Sequence, residues 1–81
     1  MIHKVKILFA YFIEIENGNK KFEIRKNDRD YKVGDELVFT NLGGVVRFTE
    51  YKFFITYILD SKMFPEGLKN GYCVVSIERR R

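Results

Sequence analysis

Four residues in the stretch GNKKFEIRKNDRD (residues 18–30) combine charge types that can hold an anion or move a proton. Lys20, Glu23 and Arg25 follow Gly18 at spacings of two, three and two. If the segment KKFEIRK is a strand, Phe22 and Ile24 point inward and Lys21, Glu23 and Arg25 share the opposite face. Residues two apart on a strand have Cα atoms roughly 6.5–7 Å from each other. The Glu23 carboxylate can then hold the Arg25 guanidinium in one orientation. Lys20 has the wrong parity for that face and joins it only if Gly18 and Asn19 turn the chain, which glycine permits. Glu23 would then lie between two cations. Such a set can grip an anion through arginine while its carboxylate contacts a base edge or polarises water.

Charge alternation also describes an ordinary solvated face, whose ion pairs contribute about 0–1 kcal/mol each. The following turn adds Lys26, Asn27 and Arg29 as further polar candidates. Asp28 and Asp30 lie too close for a simple phosphate clamp and are expected to close the turn by Asx-type hydrogen bonds.

These residues must be positioned by a small scaffold. Eighty-one residues form one domain, spanning 1–81, with a single core. A composition 46% hydrophobic and 16% aromatic belongs to a folded chain. Residues 3–7 read as a strand, and 9–17 as a helix with Leu8, Phe12 and Ile15 in one stripe and Gly18 at its end. A continuous strand is the alternative. Residues 20–26 alternate cleanly, and a Gly34-Asp35 turn leads to a strand carrying Leu37 and Phe39. Gly43-Gly44 suggests a hairpin into residues 45–51. Residues 51–59 place Tyr51, Phe53, Ile55, Tyr57 and Leu59 on one side. An irregular connection follows over 61–71, and residues 72–78 form the last strand. Five or six short strands with one early helix make a mainly β (α+β) fold, read as a compact barrel with hidden edges.

The remaining chemistry is thin. One cysteine and one histidine cannot make a usual structural zinc site, so no metal or cofactor is expected. Cys73 reads as a small buried hydrophobe, since nothing places it beside His3. His3 lacks an identifiable partner and reads as incidental. Tyr51, Tyr57 and Tyr72 could stack on bases but read first as packing residues. No P-loop, dinucleotide fingerprint or Ser/His/Asp spacing is present.

The net charge of +4 falls to +1 without Arg79, Arg80 and Arg81, so most of the excess sits in a tail expected to be disordered. The longest apolar run, residues 7–13, is far too short to span a membrane. Glu14 and Glu16 follow it at once without a small-residue cleavage site, so a cytoplasmic protein is expected.

The run GNKKFEIR resembles the Gly-x-Lys-x-x-Glu-x-Arg signature of ASCH domains, a branch of the PUA-like barrels. Gly18, Lys20, Glu23 and Arg25 fill its four positions. The longer stretch KKFEIRKNDRDYKVGDEL, with the opening HKVKIL and the TYIL segment, is similar to a small ASCH-like family of bacteria and phages. The resemblance covers nearly the whole chain. It implies a small PUA-like β-barrel with one short N-terminal helix and a cleft lined by the motif. It further implies binding of RNA or a nucleotide by Gly18, Lys20, Glu23 and Arg25, with Lys26, Asn27 and Arg29 assisting and the tail arginines holding phosphates. Some small relatives hydrolyse N4-acetylcytidine, and others have been associated with RNA cleavage. Lys20 matches the amidohydrolase lysine, but those relatives carry a threonine where this chain has Glu23. A hydrolase on a modified nucleoside or on RNA, with Lys20 and Glu23 as catalytic groups, is therefore the alternative. In either case the expected partner is RNA, a nucleotide or a nucleoside.

Overall fold

The computed structural model describes residues 1–40 and 51–81. The chain runs β1 (Ile2–Lys6), α1 (Phe9–Glu16), β2 (Phe22–Lys26), β3 (Glu36–Thr40), β4 (Lys52–Asp60) and β5 (Tyr72–Arg80). The described strands form one mixed sheet in the order β1-β3-β4-β5-β2, with β1 and β3 parallel and the other described pairs antiparallel. The expected hairpin at Gly43-Gly44 lies outside the described residues.

The helix expected over 9–17 forms instead of a continuous strand. Its buried residues are Phe12 and Ile15, whereas Leu8 sits at the N-cap and is exposed. Phe12 meets Phe39 edge to face at 6.0 Å, and Phe39 meets Phe53 at 5.4 Å. The helix thereby closes over the inner side of the sheet, where Val5, Leu37, Ile55, Cys73 and Val75 are also buried. No ladder of backbone bonds closes the sheet among the described residues, so barrel closure is not seen there. Arg25 Nη1 instead donates to the Lys6 carbonyl at 3.1 Å, and Arg29 Nη1 to the Lys4 carbonyl at 2.6 Å. Two arginines from β2 and its turn thus reach the far edge of β1.

The face assignment of β2 is the reverse of expectation. Phe22 and Ile24 are 43% and 58% exposed, while Glu23 is 6% exposed. The cause is register: Glu23 lies opposite Val75 and Arg25 opposite Cys73, and cross-strand neighbours share a face. Val75 and Cys73 point fully inward, so the charged pair goes in with them.

A second departure is in β4. The register jumps between Ile55, opposite Ile77, and Tyr57, opposite Ser76. This bulge inverts the alternation. Tyr57 therefore turns outward at 55% exposure, and Ile58 packs against the core in its place.

The tail is also ordered further than expected. Arg79 and Arg80 belong to β5, opposite Phe53 and Lys52. No described helix is long and apolar enough to cross a membrane.

Candidate functional site

The site begins at the end of α1. Gly18 has φ +83°, a left-handed conformation that favours glycine. Its amide donates to Ile15 O, while the Asn19 amide donates to Glu14 O at 2.9 Å. That pair of bonds is a Schellman motif, which satisfies carbonyls the helix leaves open. The Lys20 amide also donates to Glu14 O, at 3.0 Å. Arg79 Nη1 donates to Glu16 O, another cation-to-carbonyl contact at the negative end of the helix dipole. The turn swings Lys20 over β2, as the glycine allowed.

Lys20 Nζ contacts Glu23 Oε1 and donates to Phe22 O at 2.7 Å. Arg25 Nη1 lies 3.3 Å from Glu23 Oε2. Glu23 is therefore held between two cations, each itself anchored to a backbone carbonyl. The ammonium has three protons and, among the described residues, two hydrogen-bond acceptors. Its Nζ also lies 4.9 Å from the Phe22 ring centroid and 5.6 Å from that of Tyr11.

Not all expected residues join this cluster. Gly18, Lys20, Glu23 and Arg25 do. Arg29 is tied to the Lys4 carbonyl instead. Asn27 donates its amide to Gly71 O, and Lys26 points to the outer face opposite Tyr72. Asp30 adopts φ +50° and pairs with Lys32 at 3.2 Å.

Sequence reading missed a second polar cluster. His3 is 4% exposed, and its Nε2 lies 2.8 Å from Asp35 Oδ2. An ionised carboxylate only accepts, so Nε2 carries the hydrogen. Asp35 also accepts from the Lys32 amide at 3.1 Å and the Met1 amino group at 3.2 Å. The His3 hydrogen bond leads these partners in holding the carboxyl at about 2, below its ordinary 3.8, against the opposing effect of burial. The His3 ring meets Tyr31 edge to face at 4.9 Å, and the Tyr31 hydroxyl accepts from Arg25 Nε at 3.2 Å. A continuous set of contacts thus runs from Asp35 through His3, Tyr31, Arg25 and Glu23 to Lys20. The visible signals were the histidine opening β1 and the Gly34-Asp35 turn, but their pairing spans 32 positions.

Cys73 is fully buried, and burial pushes its thiol up. Among the described residues no group of three His, Cys, Asp or Glu side chains could hold a metal ion.

A groove of about 320 Å³ opens between the turn after α1 and the sheet. Ile15, Phe53 and Ile77 give it apolar walls, while Lys20, Lys21, Glu78 and Arg79 supply charge. Asn17 and Gly18 complete the lining. Lys20 is thus shared between the groove and the Glu23 cluster.

The solved structure of hypothetical protein PH0355 is similar in fold, with a TM-score of 0.66 at 21% sequence identity. The superposition covers 99% of this chain and 100% of that one. A protein of Escherichia phage P2, described as an uncharacterized 12.9 kDa protein in the GpA 3′ region, is 46% identical over 37 residues. That match covers 46% of this chain and 34% of the phage protein. The family described as domain of unknown function DUF3850 matches residues 2–77, and the chain belongs to it.

Proposed function

We propose that the protein is an ASCH-like, PUA-like module that binds RNA or a nucleotide in the groove beside the Gly-x-Lys-x-x-Glu-x-Arg motif. The observation that carries this reading is the position of Lys20. It lines a groove with apolar walls while Glu23, itself braced by Arg25, fixes its ammonium. The groove volume, about 320 Å³, falls at the small end of ligand pockets, about 300–1,000 Å³. That size suits one nucleoside unit. A base would lie against Ile15, Phe53 and Ile77, and a phosphate would meet Lys20, Lys21 or Arg79.

Binding is tested by titrating the protein into labelled short RNAs and nucleoside monophosphates at low and high salt. Affinity is expected to fall with salt and to drop tenfold or more in Lys20→Ala. Absence of binding to every probe at low salt would refute the proposal.

Hydrolysis of a modified nucleoside is the second reading, favoured by the direct lysine–carboxylate contact at the groove wall. Acylated nucleosides followed by mass would reveal it. Turnover surviving in Lys20→Ala would remove that residue from the chemistry.

A further inference from the structure

The outer face of β2, β5 and β4 carries an apolar, aromatic surface that the groove does not explain. Cross-strand register places Ile24, Val74 and Leu59 in one row, and Phe22, Ser76 and Tyr57 in the next. Lys26 and Tyr72 begin a third row. Phe22, Ile24 and Tyr57 are each more than two-fifths exposed, and Val74, Leu59 and Tyr72 are half-buried. An apolar face left open to water marks a contact surface.

Its chemistry selects among partners. Phe22 and Tyr57 stand two strands apart, about 10 Å, and Tyr72 lies about 13 Å further along the strand direction from Phe22. Cations stand over two of these rings: Lys20 Nζ is 4.9 Å from the Phe22 centroid, and Lys69 Nζ is 5.7 Å from that of Tyr72. Lys26 lies opposite Tyr72, and Lys52 opposite Arg80 at the other end. The nearby acids are largely engaged. Glu78 is paired with Arg80 at 2.8 Å, and Asp60 accepts from the Lys62 and Met63 amides. Glu36 stands opposite Phe54, towards the β3 side. Separated aromatic rings, two of them with a mobile lysine over the ring, suit successive unpaired bases that stack on the rings while the lysines turn to the phosphates. A duplex keeps its bases stacked inside and cannot use them.

We infer that this outer face carries an unpaired nucleic-acid strand onward from the groove, the two surfaces meeting at Lys20. The inference rests on the nucleic-acid reading of the groove and adds that the natural ligand is a strand, not a free nucleotide. It also gives Lys26, which the motif cluster leaves out, a role on the opposite side of β2.

The test compares oligouridylate of about 10 nucleotides with uridine monophosphate, using fluorescence anisotropy and competition. The wild-type chain is expected to bind the oligomer at least tenfold more tightly. The double variant Tyr57→Ala/Lys26→Ala, altered far from the groove, should lose that advantage and keep its affinity for the monophosphate. Circular dichroism and thermal melting confirm that the variant is folded. An unchanged oligomer affinity in the variant overturns the inference and leaves the groove reading standing. Binding of neither probe by the wild type overturns both. Dimerisation of the wild type that Ile24→Glu abolishes, without effect on the oligomer, assigns the face to a second copy and also overturns the inference.

Discussion

Asp35 and Glu23 are both buried carboxylates, 8% and 6% exposed, and each gathers several hydrogen-bond donors. Their partners differ in kind. Asp35 is held by short groups: a buried imidazole, a backbone amide and the Met1 amino group. Glu23 is held by two long side chains, and one of these also lines the groove. A carboxylate fixed by short donors, one of them a buried imidazole, ties β1 to the turn before β3. One fixed through a flexible lysine can pass its orientation to something outside. The contrast separates a structural cluster from one suited to binding, although both contain the same types of charge.

The largest expected effect tests the structural half. Asp35→Ala leaves the His3 ring buried without its acceptor and should cost about 3 kcal/mol in chemical denaturation. The same site predicts an acid limb. Because the folded carboxyl titrates below its ordinary value, its contribution is full above pH 3.8 and is lost as pH falls through about 2. After solvent screening this amounts to about 1–2 kcal/mol, visible as loss of the limb in the variant.

Gly18→Ala should have an intermediate effect. The added Cβ would meet Arg79 Nη2 at 3.1 Å in a left-handed backbone. About 1–2 kcal/mol of destabilisation is expected in urea melts, with a displaced Lys20.

The smallest stability change should come from Lys20→Ala, about 1 kcal/mol, because Arg25 stays paired with the buried Glu23 carboxylate when the lysine is removed. Ligand affinity should fall all the same. If Lys20→Ala unfolds the chain as readily as Asp35→Ala, the two clusters are not different in kind.

Much of the scaffold was legible because its signals are local. The helix follows from the Phe12–Ile15 stripe and its glycine stop, and the strands from alternation between turn residues. The proximity of Lys20, Glu23 and Arg25 was readable from spacing together with the freedom of Gly18. Alternation alone, however, says which residues share a face and not which face is buried. In β2 that choice was made by Cys73 and Val75, some 50 positions away, against the hydrophobicity of Phe22 and Ile24. The outward turn of Tyr57 came from one extra residue in β4, which no period-2 pattern displays. His3 looked incidental because its partner is brought in by the parallel pairing of β1 with β3. The arginines at the end of the chain looked like a tail because their helix carbonyl and strand partners are remote.

The sheet order also sets when the groove can exist during folding. Among the described strands, only β3–β4 and β4–β5 join neighbours in the sequence, whereas β1 must find β3 across α1 and β2, and β2 must find β5. Local pairings close first because long chain closures cost more entropy. The β3–β4–β5 pairings are thus expected to form first, with the first third of the chain added to them. Gly18, Lys20 and Lys21 come from that late-arriving part, while Phe53, Ile77 and Arg79 belong to β4 and β5. A ligand that needs both halves of the groove would therefore recognise the completed chain and pass over its partly folded forms.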